Sequence, residues 1–193
     1  MDKNRVIIAH SHKTFSQQLK KICQQVGYLV IGETKEGRDT LQLAFQQEPD
    51  IIIMEDNLPG NEGRSIAGLI DEHRLAPRVL VVESQKEILN LIHLPEVYGI
   101  LTPPLQEIVV LTVLETALAV FQRIKELENE VKELRKTIEA RKLIERAKGI
   151  LMEKRGLNER TAYKYLQKMS MNNCIPLEII AKKIILKLQS ESS

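Results

Sequence analysis

Between Leu105 and Lys148 the chain contains neither glycine nor proline, so nothing in that span stops a helix. Unbroken to about Arg155, such a helix would extend roughly 75 Å at about 1.5 Å per residue. A helix of that length is stable only when something packs along it. Leu111, Leu114, Leu118, Phe121, Leu127, Val131, Leu134 and Ile138 recur mostly at three- and four-residue steps, with one irregularity near Ile124. The charged stretch RIKELENEVKELRKTIEARK confines its few apolar residues to a narrow seam, the mark of a coiled coil. The competing arrangement is a solvated helix lying along its own domain. The seam favours a parallel homodimer, with residues 105–140 as the dimerisation segment.

On either side of that helix the charge changes sign. Residues 1–104 carry 11 basic and 14 acidic side chains, and residues 105–193 carry 17 and 12, so the overall +2 averages an acidic half and a basic half. The basic excess is concentrated between Arg141 and Lys187, where twelve Lys/Arg face four Glu. A helical module with that balance is the electrostatic footprint of a polyanion binder. The two cysteines, Cys23 and Cys174, are far apart in apolar surroundings and read as buried or inert thiols rather than a metal site or disulfide. The start MDKNRVIIAH runs from charged residues straight into a strand-like segment, unlike a signal peptide. No stretch approaches about 18 consecutive apolar residues, so a cytoplasmic location with no membrane contact is expected.

Residues 1–104 alternate two patterns. Strand-like runs occur at Arg5–Ala9, Leu29–Glu33, Ile51–Met54, Val79–Val82 and Gly99–Leu101, several of them apolar on both faces, as strands covered on each side must be. Amphipathic segments at Thr14–Val26, Gly37–Gln47, Glu62–His73 and Lys86–Leu94 separate them. The predicted fold class is α/β: a flavodoxin-like, receiver-like five-stranded parallel sheet, then the long coiled-coil helix and a small three-helix module. Any site in the sheet domain belongs where strands 1, 3 and 4 end.

The run PDIIIMEDNLPGNEG, followed by VLVVES and GILTPP, resembles a response-regulator receiver domain. That resemblance implies paired acids holding magnesium after strand 1, an acceptor Asp after strand 3, a hydroxyl after strand 4 and a Lys before Pro after strand 5. Here His10 and Ser11 stand at the acid positions, Glu55 at the acceptor, Glu83 at the hydroxyl and Pro103 at the Lys. Phosphoryl transfer depends on charge stabilisation by the metal and the Lys, so a pseudo-receiver that is not phosphorylated is expected. Other readings are Glu55 or Asp56 as an acceptor, Glu55 as a permanent phosphate mimic, and a metal or proton-sensing cluster of His10, His12, Glu55 and Glu83. An eroded site filled by solvated polar groups is favoured over these. No motif calls for a cofactor or a resident metal.

After Gly156, Asn158 can cap a helix Glu159–Met169 with Ala162, Tyr165, Leu166 and Met169 on one face. A turn SMNNCI follows, and Pro176 then suits the start of a last helix that buries Leu177, Ile180, Ala181, Ile184, Ile185 and Leu188. Ile144, Ala147 and Leu151 supply the third wall, with Ala147 and Gly149 allowing close helix approach. ERAKGILM, TAYKYL, KMSMNN and IIAKKII, spread from about Glu139 to Leu188, resemble the ANTAR domain of AmiR/NasR-type transcription antiterminators. The module is assigned residues 141–190. The resemblance implies a regulator that grips paired stem-loops in nascent leader RNA, with a ligand-sensing regulatory protein as a possible partner.

Binding a hairpin requires cations for phosphates and polar or flat groups for loop bases. The candidate phosphate contacts are Arg146, Lys148, Lys154, Lys164 and Lys168. Ser170 and Asn172 are candidate base readers, while Tyr163 and Tyr165 divide between stacking and core packing, the latter favoured. A DNA-binding regulator is the main alternative, weakened because the last helix is largely apolar. A protein-interaction scaffold is another. An enzyme is not expected, since no phosphate loop, nucleophile elbow or metal-spaced His/Cys set occurs.

Overall fold

The computed structural model describes residues 3–56, 58–59 and 63–190. Asn57, Gly60, Asn61 and Glu62, which belong to the receiver-like motif, lie outside the described residues. The chain divides into two compact units, Met1–Lys125 and Glu126–Ser193.

The first unit contains β1 (Arg5–Ala9), α1 (Lys13–Gln25), β2 (Leu29–Thr34), α2 (Gly37–Gln47), β3 (Ile51–Glu55), α3 (Gly63–Glu72), β4 (Arg78–Val81), α4 (Gln85–Leu91) and β5 (Gly99–Leu101). All neighbouring strands are parallel, in the order β2-β1-β3-β4-β5. Val6 to Ala9 pair with Ile51 to Met54, and Ile52 to Glu55 with Arg78 to Val81. These central strands are covered on both faces, which is why Ile7, Ile8, Ile51, Ile52 and Ile53 are completely buried and the runs do not alternate in polarity. The order reverses between β1 and β3, so the crevice beyond their carboxyl ends is the natural place for a site.

The long helix α5 is Glu107–Arg155, with Gly156 in the left-handed region (φ 63°) beyond its end. Its first turns correct the sequence expectation. Val110, Leu114 and Ala117 are buried in the core of the sheet unit, with Leu111 and Leu118 packed against it. Leu111, Leu114 and Leu118 therefore face the unit's own sheet rather than a second chain, and this unit extends past residue 104. Gly99 explains the closeness: a Cβ there would lie 2.7 Å from Val113 Cγ1 on α5. Tyr28 Oη donates to Glu115 Oε1 at 2.8 Å, fixing α5 further. The irregularity near Ile124 marks the point where the apolar stripe changes face.

The second unit holds the rest of α5, α6 (Glu159–Asn173) and α7 (Leu177–Ser190). Its core consists of Ala147, Leu151, Ala162, Leu166, Ile180, Ala181, Ile184, Ile185 and Leu188, with Ile144, Tyr165, Met169 and Leu177 at its edge. Asn158 caps α6, its side chain accepting Thr161 N–H at 2.9 Å. Ser170 to Asn173 form the last turn of α6 instead of a loop. The helix ends in paired bonds from Cys174 N to Met171 O and Ile175 N to Ser170 O, with Cys174 left-handed at φ 51°. Cys174 is consequently exposed, unlike buried Cys23. Gly149 also departs from expectation. It is exposed, and a Cβ there would meet nothing within 4 Å, so no close helix approach requires it.

Candidate functional site

At the end of β1 and β3 the sheet unit closes on itself. Glu55 Oε2 accepts hydrogen bonds from Ser11 N at 2.9 Å and Ser11 Oγ at 2.7 Å, tying the loop after β1 to the end of β3. His10 is 3% exposed, stacks on Phe15 with ring centroids 4.3 Å apart, and accepts His12 N–H at Nδ1. That acceptor role makes the imidazole neutral, and its 3.6 Å separation from Glu55 Oε2 is beyond hydrogen-bond reach. Burial pushes the His10 pKa below its ordinary value, with Glu55 opposing the shift and His12 adding to it. The solvated, eroded site expected from the sequence is thus an internally hydrogen-bonded one.

Magnesium does not fit these residues. It demands hard oxygen ligands, whereas the two acid positions carry a buried imidazole and a serine already bonded to Glu55. No group of three His, Cys, Asp or Glu able to hold a metal occurs among the described residues, so the proposed cluster of His10, His12, Glu55 and Glu83 does not assemble as a metal site. Glu83 is exposed and lines a small cleft with His10, Glu55 and Asp56. Pro103 follows β5, and its peptide bond to Pro104 is cis. Neutral His10 has a consequence for stability. Since the unfolded chain protonates this imidazole more readily, its contribution is complete above about pH 6.5 and is lost as pH falls below that. In denaturant titrations between about pH 7 and pH 5, His10→Gln is expected to lose stability less steeply than the parent chain; equal slopes would place the titration elsewhere.

In the second unit the expected phosphate contacts separate into two groups. Arg146, Lys164 and Lys168 are exposed, and their cationic groups have no partner among the described residues. Lys164 and Lys168 share one face of α6 with exposed Arg160 at four-residue steps. Arg160 was missed in the sequence, although that spacing is visible there.

Lys148 and Lys154 are already engaged. Lys148 is 7% exposed, and its Nζ donates to Glu159 Oε1 at 2.7 Å and Glu145 Oε2 at 2.9 Å. Those bonds, Glu159 first, raise the Lys148 pKa, and the same cation lowers that of Glu159. Lys154 Nζ donates to the Leu188 carbonyl in the last turns of α7, where a cation suits the helix end. Lys154 is a helix-end contact rather than a ready phosphate ligand.

The base-reading candidates divide as well. Ser170 Oγ donates to the Ile175 carbonyl at 2.6 Å and serves the end of α6, while Asn172 is exposed. Tyr165 packs at the module's core and its Oη accepts from Arg155 at 3.1 Å, with the guanidinium 5.3 Å from the ring centroid. Tyr163 is 41% exposed and leaves its ring open to solvent.

Residues 6–102 match the response regulator receiver domain and residues 132–185 match the ANTAR domain. The transcriptional regulatory protein PdtaR of Mycobacterium tuberculosis is 30% identical over 182 residues, covering 94% of this chain and 89% of the relative. The chain is an ANTAR-domain response regulator. This ANTAR regulator is also 31% identical over 90 residues to the aliphatic amidase regulator of Pseudomonas aeruginosa, 47% of this chain and 46% of that one. In fold, it matches the receiver domain of a modulated diguanylate cyclase from Desulfovibrio desulfuricans with a TM-score of 0.57 and 20% identity, over 63% of this chain and 98% of that one. Among its described residues no helix is long and apolar enough to cross a membrane.

Proposed function

We propose that this ANTAR response regulator is a homodimeric RNA-binding antiterminator. It grips stem-loops in nascent leader RNA, preventing a terminator hairpin, and its receiver works without phosphate. The observation that carries the RNA reading is the set of exposed cations, Arg146, Arg160, Lys164 and Lys168, without a carboxylate partner among the described residues. Unneutralised cations on helical faces release counterions when they meet phosphates, which is the main source of sequence-independent affinity. Helix α7 supports RNA over DNA, because Ile180, Ala181, Ile184, Ile185 and Leu188 are committed to the core and the exposed face, with Ile179, Lys182, Lys183 and Leu186, carries no Arg or Asn to pair with base edges in a major groove.

Dimerisation rests on the free face of α5. Val120, Leu127, Val131, Leu134 and Ile138 are 42 to 55% exposed. With Ile124 they step by four and three residues, giving β-branched Ile124, Val131 and Ile138 at the a positions and Leu127 and Leu134 at d. That choice favours two parallel strands. In register, Arg123 then meets the partner's Glu128, and Glu130 meets the partner's Arg135, both opposite in charge. The seam therefore runs from Val120 to Ile138, shorter than the segment expected from the sequence.

Phosphorylation of Glu55 lacks support from its surroundings. The carboxylate is already bonded to Ser11, and among the described residues no group of side chains able to hold a charge-stabilising metal occurs. A chain carrying Arg146→Gln, Lys164→Gln and Lys168→Gln is expected to bind hairpin RNA more weakly. Its slope of log affinity against log salt should fall by roughly two to three. An unchanged slope would remove these cations from the interface.

A further inference from the structure

Lys148 is held between two carboxylates at the edge of an open groove of about 610 Å³, within the range of roughly 300–1,000 Å³ typical of small-ligand sites. Lys148, Asn158, Glu159, Arg160, Thr161 and Tyr163 line it. Thr161 N–H and Oγ1 both donate to Asn158 Oδ1, which leaves the Asn158 amide N–H groups as donors. The groups that meet a ligand are therefore two cations, one acid, one amide and one exposed aromatic side chain. Resting on the RNA-binding reading above, we propose that this groove takes one unpaired nucleotide of an RNA loop, its phosphate displacing Glu159 from Lys148 and its base stacking on Tyr163.

The exchange is one anion for another at the same donor. Glu159 Oε1 accepts from Lys148 Nζ at 2.7 Å, a bond that a phosphate oxygen accepts equally well. The Lys148 stem is buried while the Glu159 side chain is 72% exposed. The acid can thus swing into water at little cost while the ammonium stays in place. Glu145 also holds Lys148 but does not line the groove, so it keeps the ammonium oriented after Glu159 leaves. Glu159 acts as an internal stand-in for phosphate, masking the site until a nucleotide arrives. Arg160 supplies a second cation on the same wall. Tyr163 supplies the sequence-tolerant π-face that single-stranded bases use.

The test uses the full-length protein and two probes: a pool of stem-loop RNAs with a fixed stem and randomised loop, and the same stem closed by a polyethylene glycol linker. Glu159→Gln keeps a hydrogen-bonding side chain without the charge and is expected to bind the looped pool several-fold tighter than the parent chain, with Glu145→Gln changing less. Tyr163→Leu, at an exposed position, is expected to bind the looped pool about ten-fold more weakly and the linker-closed stem unchanged. If the parent chain binds the looped pool while Glu159→Gln gives no gain, the masking is overturned and the RNA reading stands. If Tyr163→Leu weakens both probes equally or neither, the base-stacking role is overturned. Failure of the parent chain to bind either probe removes the RNA reading, and this proposal with it.

Discussion

Leu127→Glu together with Leu134→Glu is expected to leave the protein a monomer at micromolar concentration and to abolish tight binding to paired stem-loops. Both leucines occupy d positions on the exposed face of α5, with Val131 and Ile138 beside them. In a two-stranded coil each new carboxylate would lie against its counterpart in an apolar, poorly hydrated seam, which combines desolvation with like-charge repulsion. Neither side chain belongs to the core of either unit, so the folded helix content is expected to survive. Light scattering with multiple concentrations reads the mass directly; a persistent dimer would move the association surface elsewhere. Loss of one of two linked RNA-binding modules also removes the gain from a high effective concentration, which for short connections reaches about 10²–10⁴ in affinity.

Leu151→Ala is expected to cost about 2–5 kcal/mol, a large share of what a small three-helix core can supply. Leu151 is fully buried between the end of α5 and the two short helices, in contact with a core that has no disulfide to reinforce it. Proteolysis across residues 156–190 should accelerate sharply and RNA binding should fail at temperatures the parent chain tolerates. Ile179→Ala, at a 42% exposed position, provides the contrast, with a change within about 0.5 kcal/mol expected of surface substitutions. Equal effects of the two changes would mean the core is not organised as described.

The sheet and the C-terminal helices were legible because each uses one strong periodic signal. Buried strands such as IIIM are apolar throughout, and Leu177 to Leu188 repeats at helical spacing, so nearly every core residue of α7 follows from the sequence. The long helix was legible in extent but not in allegiance. Leu114 and Leu134 read alike along the chain, yet one faces the sheet and the other a free surface, and only tertiary packing separates them. The same limit applies at the site. A basic side chain counts as a cation in sequence, whether it has no partner among the described residues, as Lys164, or is held by acids as Lys148 is. Glu145 lies three residues before Lys148, a spacing that hints at the pair; Glu159, across a turn, gives no such hint. The sequence places Ser170 on a turn, since Ser and Asn favour turns. Its helix instead runs on until Cys174 adopts the left-handed conformation, which glycine would have announced.

Two basic helical modules joined by a coiled coil, as proposed above, should recognise looped RNA in preference to a duplex. The most direct measurement compares binding of the full-length protein to a paired stem-loop RNA, a single stem-loop and duplex DNA of equal charge, at one salt concentration. The expected order of affinity is paired stem-loop, single stem-loop, duplex DNA, with the first clearly tightest. Equal affinity for all three, or preference for the DNA duplex, would contradict it.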